Sequence, residues 1–139
     1  MSWDPPFPSI EQILIRWLPA QIEDTHCLTD LPHDFQNLNG DTGILPVCVV
    51  DRISGAELLG SPMLDRPILD IDVYAADRGT AQRLSELARH ALTRLPGQRI
   101  ENVVFGRART VVGPRQLPTA NPVLRRYSAN YELLFHVQP

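Results

Sequence analysis

Lysine is absent from this chain; all 13 basic residues are arginine. Arginine favours planar, bidentate and stacked contacts, which suits protein interfaces more than a mobile solvating surface. Long apolar runs are absent too: none approaches the roughly 20 residues needed to span a bilayer, which excludes a membrane-spanning helix. Residues 1–8 hold acid and proline where a secretory signal needs a basic start and an apolar stretch, so an intracellular protein is expected. Cysteine is scarce. Cys27 and Cys48 are far apart in sequence and stand in no metal or redox spacing, each within a strand-like segment. They read as two small buried thiols and not as a disulfide. His26, His33, His90 and His136 are scattered, and none makes a zinc-ligand spacing with another His or Cys. There is no Gly-x-Ser-x-Gly nucleophile elbow and no phosphate-cradling glycine loop.

What is present is ordinary globular material. Hydrophobic residues make up 43% and charged residues 21% of 139 positions, which argues against wholesale disorder. That length holds one core, and no linker divides it, so one domain over residues 1–139 is expected. The net charge of −3 conceals a split. Residues 1–77 carry 13 Asp or Glu against 3 Arg, a balance of −10, and residues 78–139 carry 10 Arg against 3 Glu, a balance of +7. The two halves either neutralise each other within one fold or pair between molecules.

Ser9 can cap a helix, with Gln12 at the capping-box position. Ile10, Ile13, Leu14, Trp17 and Leu18 then form a one-sided apolar stripe that Pro19 ends or kinks. Residues 26–31 read as a short strand closed by Pro32, and residues 36–43 as an exposed loop. Residues 45–53 form a β-branched strand, and the glycines and proline of 54–66 suggest a second loop. Residues 67–75 alternate cleanly: Leu69, Ile71, Val73 and Ala75 point one way, and Ile68, Asp70, Asp72 and Tyr74 the other, toward water or a partner. Asp77 caps a second helix whose buried stripe is Ala81, Leu84, Leu87, Ala88, Ala91, Leu92 and Leu95, stopped by Pro96-Gly97. Residues 100–112 predict a strand bent at Gly106. Gly113-Pro114 and Asn121-Pro122 mark an extended connection to a last strand over 123–137. There Tyr127, Ala129, Tyr131, Leu133 and Phe135 alternate with polar neighbours. This order implies an α+β fold, a mostly antiparallel β-sheet with two main helices packed on one face.

Asp70 and Asp72 share a strand face and are the obvious metal or catalytic pair. No third carboxylate has a sequence-defined place beside them, so they read as polar-face residues. Exchanging both for Asn is expected to cost no more than about 0.5 kcal/mol unless they are paired. Arg107, Arg109, Arg115, Arg125 and Arg126 cluster in the last third, with Arg107 and Arg109 on one strand face. They keep open a small arginine-rich nucleic-acid-binding module, although the chain as a whole is acidic.

Several phrases, in order, resemble the tail terminator (tail-completion) proteins of long-tailed phages and prophages. They are the amphipathic opening of residues 7–18, Leu31-Pro32-His33-Asp34-Phe35, the strand at 45–53, and Asp65-Arg66-Pro67 leading into residues 69–77. The strongest are Val111-Val112-Gly113-Pro114-Arg115, Asn121-Pro122 and residues 125–132. The likeness covers nearly the whole chain but holds no catalytic signature. It implies a virion structural protein of the tail–neck junction that assembles as a homo-oligomeric, hexameric ring on the completed tail tube. Such a ring stops tube polymerisation and gives the head-side connector a docking surface. The implied partners are other copies of the chain, the major tail tube protein and the head-side connector or neck protein, with non-specific contact to passing DNA. No catalytic residue, cofactor, metal or membrane is implied. A head-to-tail neck ring protein is the alternative in the same setting. Asp70, Asp72, Arg107, Arg109, Arg115, Arg125 and Arg126 are the candidate subunit or tube contacts. Arg126 is expected to project from the face opposite Tyr127, so that reversing Arg125 and Arg126 to Glu would impair assembly and leave the monomer folded.

Overall fold

A computed structural model describes residues 6–22, 24–31, 45–60 and 62–138. Helix α1 spans Ile10–Trp17, and the Ser9 hydroxyl accepts the Gln12 amide at 3.3 Å. That cap satisfies an amide the helix itself leaves unpaired and contributes about 1 kcal/mol. The helix tightens into a single 3-10 turn, Leu18–Ala20, at Pro19. Strands β1 (His26–Leu28), β2 (Val47–Leu58) and β3 (Leu64–Ala75) follow, then helix α2 (Arg78–Thr93), and strands β4 (Arg99–Ile100), β5 (Val103–Leu117) and β6 (Arg125–Val137). Asp77 caps α2, accepting the Thr80 amide at 2.8 Å.

The six strands form one sheet in the order β1-β2-β3-β6-β5-β4. Only β1–β2 is parallel; every other neighbour pair is antiparallel. Ile10, Ile13, Leu14 and Leu18 of α1 and Leu84, Ala88, Ala91 and Leu92 of α2 share one core with Cys48, Val50, Leu69, Ile71, Val73, Tyr131, Leu133 and Phe135. Both helices therefore cover the same sheet face, in the α+β arrangement expected. A smaller cluster of Val47, Tyr74 and Leu124 covers one end of the opposite face.

Three boundaries differ from the sequence reading. The first strand stops at Leu28, while Pro32 and the loop expected at 36–43 lie outside the described residues. Residues 54–66 are not one loop but the two arms of a β-hairpin, with Ser54 to Leu58 paired to Ile68 to Leu64. Gly55 makes this possible. Its φ is +99°, and a Cβ there would lie 2.0 Å from the Arg66 carbonyl oxygen, so only glycine lets the arms approach. Finally, β5 does not end at 112 but runs through Gly113-Pro114 to Leu117, with register shifts between Phe105 and Arg107, Thr110 and Val112, and Val112 and Arg115. Gly106 falls in the first shift, as the expected bend. Pro114 falls in the last, where an irregular ladder tolerates a residue without an amide hydrogen.

Candidate functional site: the charged sheet face

Strand registers assemble the polar residues into rows across the face away from the helices. One row runs Val49, Asp72, Ser128, Arg115 from β2 to β5, the next Asp51, Asp70, Asn130, Val112, and a third Ser54, Ile68, Glu132, Arg109. Arg107 lies level with Leu134 on the same face. The division of charge along the chain thus becomes a division in space. Asp51, Asp70 and Asp72 stand on β2 and β3 and Arg107, Arg109, Arg115 and Arg126 on β5 and β6, with Glu132 of β6 and Arg66 of β3 as the exceptions.

On the two central strands, toward the end of this face that holds Tyr74, Arg126 crosses to Asp72. Its Nε donates to Asp72 Oδ2 at 2.8 Å, and Nη2 lies 2.6 Å from the same oxygen. The guanidinium also stacks 5.8 Å from the centre of the Tyr74 ring. Asp72 is 7% exposed, so the alternation placed it on the right face but its expected outward, solvated position is corrected. Strand β6 supplies the arginine that covers it. Asp72 Oδ1 is buried with no hydrogen-bond partner among the described residues. Asp70 accepts Ser128 Oγ at 2.9 Å and Asn130 Nδ2 at 3.4 Å. Burial first, then the charge of Asp72, pushes the Asp70 carboxyl above its ordinary range, while the Ser128 hydrogen bond and the Arg126 charge pull it back.

The two aspartates should therefore answer differently to the same change. Because the folded state raises the Asp70 pKa, it binds that proton more readily than the unfolded chain. Stability then rises as pH falls through the folded pKa, and above that pH ionised Asp70 is a standing cost. Asp70→Asn keeps an acceptor for Ser128 and should raise the melting temperature at pH 7 while flattening the acid-side dependence. Asp72→Asn removes the charge that Arg126 faces and should cost about 1–2 kcal/mol, above the limit expected for an unpaired surface carboxylate. Melts of the two single variants between pH 4 and 8 separate these results.

The remaining arginines divide. Arg109 Nε donates to Glu132 Oε1 at 3.1 Å, and this bond holds the Glu132 carboxyl below its ordinary value. Arg125 lies level with Ala75, on the helix-covered face as its parity indicated, and donates to the carbonyls of Pro122 (2.8 Å) and Leu124 (3.0 Å). Arg107 and Arg115 are exposed and make no hydrogen bond or ion pair with a described residue. Arg126 and Asp72 are thus brought together within one subunit, Asp70 sits beside them, and Arg107 and Arg115 remain available at the β5 side.

Sequence reasoning missed a third carboxylate: the β2–β3 register sets Asp51 level with Asp70. Asp51 also lines an open cleft of about 510 Å³ at the sheet edge with Glu11, Thr29, Asp30 and Tyr74. Burial and then Glu11 raise the Asp51 pKa. No group of three or more His, Cys, Asp or Glu among the described residues has an arrangement that would hold a metal ion. Cys27 and Cys48, distant in sequence, are level across β1 and β2, and both are free thiols. The signal for all these neighbours is strand register, which depends on hairpin geometry and bulges far from the residues concerned. No protein-family model matches this chain, and no curated protein matches it.

Proposed function

We propose that this chain is a non-enzymatic structural subunit, a phage tail terminator that caps a completed tail tube as a closed, hexameric ring. The ring halts tube growth and presents a surface to the head-side connector. The observation that carries the reading is the spatial division of charge on the helix-free sheet face, with Asp51, Asp70 and Asp72 toward β2 and Arg107, Arg109 and Arg115 toward β5. A cyclic ring joins two different surfaces of each subunit, and a subunit acidic on one side and basic on the other is suited to that contact. The ordered phrases resembling terminators add support, since residues 69–77 and 125–132 contribute the adjacent central strands β3 and β6.

Solution mass combined with negative-stain imaging tests the oligomer. The expected result is a discrete cyclic species near six subunits with a central hole, and its population should fall as salt rises. A strict monomer at every concentration would count against the ring. A monomer that instead gains high affinity for one DNA sequence would replace the reading with a nucleic-acid module.

A further inference from the structure

Among the described residues, part of each lateral edge of the sheet is open. Strand β1 covers β2 only along Val47 to Val49, and Glu11 Oε2 accepts the Arg52 amide at 3.1 Å, so among the described residues nothing pairs with the outer side of Ile53 to Leu58. At the other edge β4 and Gln98 cover β5 as far as Phe105, and no described strand pairs with its outer side from Gly106 to Leu117. An open strand edge is a row of unpaired backbone donors and acceptors, a template for another strand. Apolar side chains are exposed at both places: Ile53 (51%) and Leu59 (84%) near β2, and Val111 (44%) and Val112 (38%) on β5.

Resting on the ring reading above, we infer that the β5 edge of one copy pairs with the β2 edge of the next, extending the sheet from subunit to subunit. Direction agrees with this. The order β2-β3-β6-β5 is antiparallel at each step, so β2 and β5 run oppositely. When copies are related by rotation about an axis along the strands, the new pair is antiparallel as well, like most of the existing sheet. Charge agrees too. Arg115 of one copy comes beside Asp51 of the next and beside its cleft, lined by the carboxylates Glu11, Asp30 and Asp51, while Arg107 lies farther along the same seam. A guanidinium entering that cleft offsets the Glu11 charge that, after burial, raises Asp51. The bulges and Pro114 of β5 disfavour addition of an arbitrary strand, so the edge selects a partner of matching shape.

The test uses two full-length variants, each altered at exposed side chains of one edge: Asp30→Lys with Asp51→Lys, and Arg107→Glu with Arg115→Glu. Each alone should self-associate at least about tenfold more weakly, since like charges then meet. Mixed, they should co-assemble in alternation, because the arginine edge of the first meets the aspartate edge of the second and the glutamate edge of the second meets the lysine edge of the first. A chain carrying all four changes should associate again with itself. Hydrogen exchange on the wild-type oligomer should show new amide protection within 53–58 and 107–117. An oligomer without that protection, or edge variants that assemble like wild type, overturns the strand pairing while leaving the ring reading standing. A chain that remains monomeric to millimolar concentration also overturns it, and the capping of tube ends then decides separately whether the terminator reading survives.

Discussion

Arg126→Glu is expected to lower folding stability by about 2–4 kcal/mol, an effect on the monomer and not on assembly. Asp72 is almost fully buried and Arg126 is the cation it faces, with two nitrogens within 2.8 Å of Oδ2. Breaking a buried pair leaves an uncompensated charge, which costs more than the pair itself contributes. Glutamate adds a third carboxylate beside Asp72 and Asp70, and the stacking on Tyr74 is lost. The Arg126 side chain is 28% exposed, so solvent screens part of this and brings the cost toward and below the lower end of the buried-pair range. Urea unfolding checks it. A loss under about 0.5 kcal/mol would mean that the Asp72 carboxylate is solvated despite its burial. The sequence-level expectation that Arg125 and Arg126 can both be reversed in a folded monomer is therefore revised; Arg107 and Arg115 are the cleaner probes of assembly.

Gly55→Ala should cost about 2–4 kcal/mol and loosen the β2–β3 hairpin. The backbone there has φ +99°, where an L side chain is strained, and the added Cβ would sit 2.0 Å from the Arg66 carbonyl oxygen. That neighbour is backbone within a paired strand, so relief requires separating the arms. Gly60→Ala is the control, since its nearest atom would lie 3.5 Å away. Equal stability of the two variants would return 54–66 to the loop first expected.

The parts legible in sequence were those set by local chemistry. Ser9 and Asp77 announce the helix starts because a cap is a contact between residues three apart. The alternation at 67–75 and 127–135 was plain because the helices cover one face of β3 and β6 over these residues. The hairpin arm was not legible because Ser54 to Leu58 is exposed on both faces, so no alternation marks it. Gly113-Pro114 looked like a strand end because proline interrupts a regular ladder, yet a bulge on an edge strand absorbs it. At the site, Asp70, Asp72 and the arginines were found as residue types. Their pairing was not found, since Asp72 meets Arg126 across 54 positions through the β3–β6 register. Asp51 was missed for the same reason. Its place beside Asp70 follows from the hairpin.

The proposed function requires that a ring of this chain close the end of a tail tube. Electron micrographs of the purified protein mixed with preassembled tubes of its cognate tail tube protein test it most directly. The expected result is one ring at a single end of each tube and no further growth there when tube subunit is added. Tubes that keep growing at both ends with no added density, or density found only on portal vertices, would contradict it, the latter in favour of a neck protein.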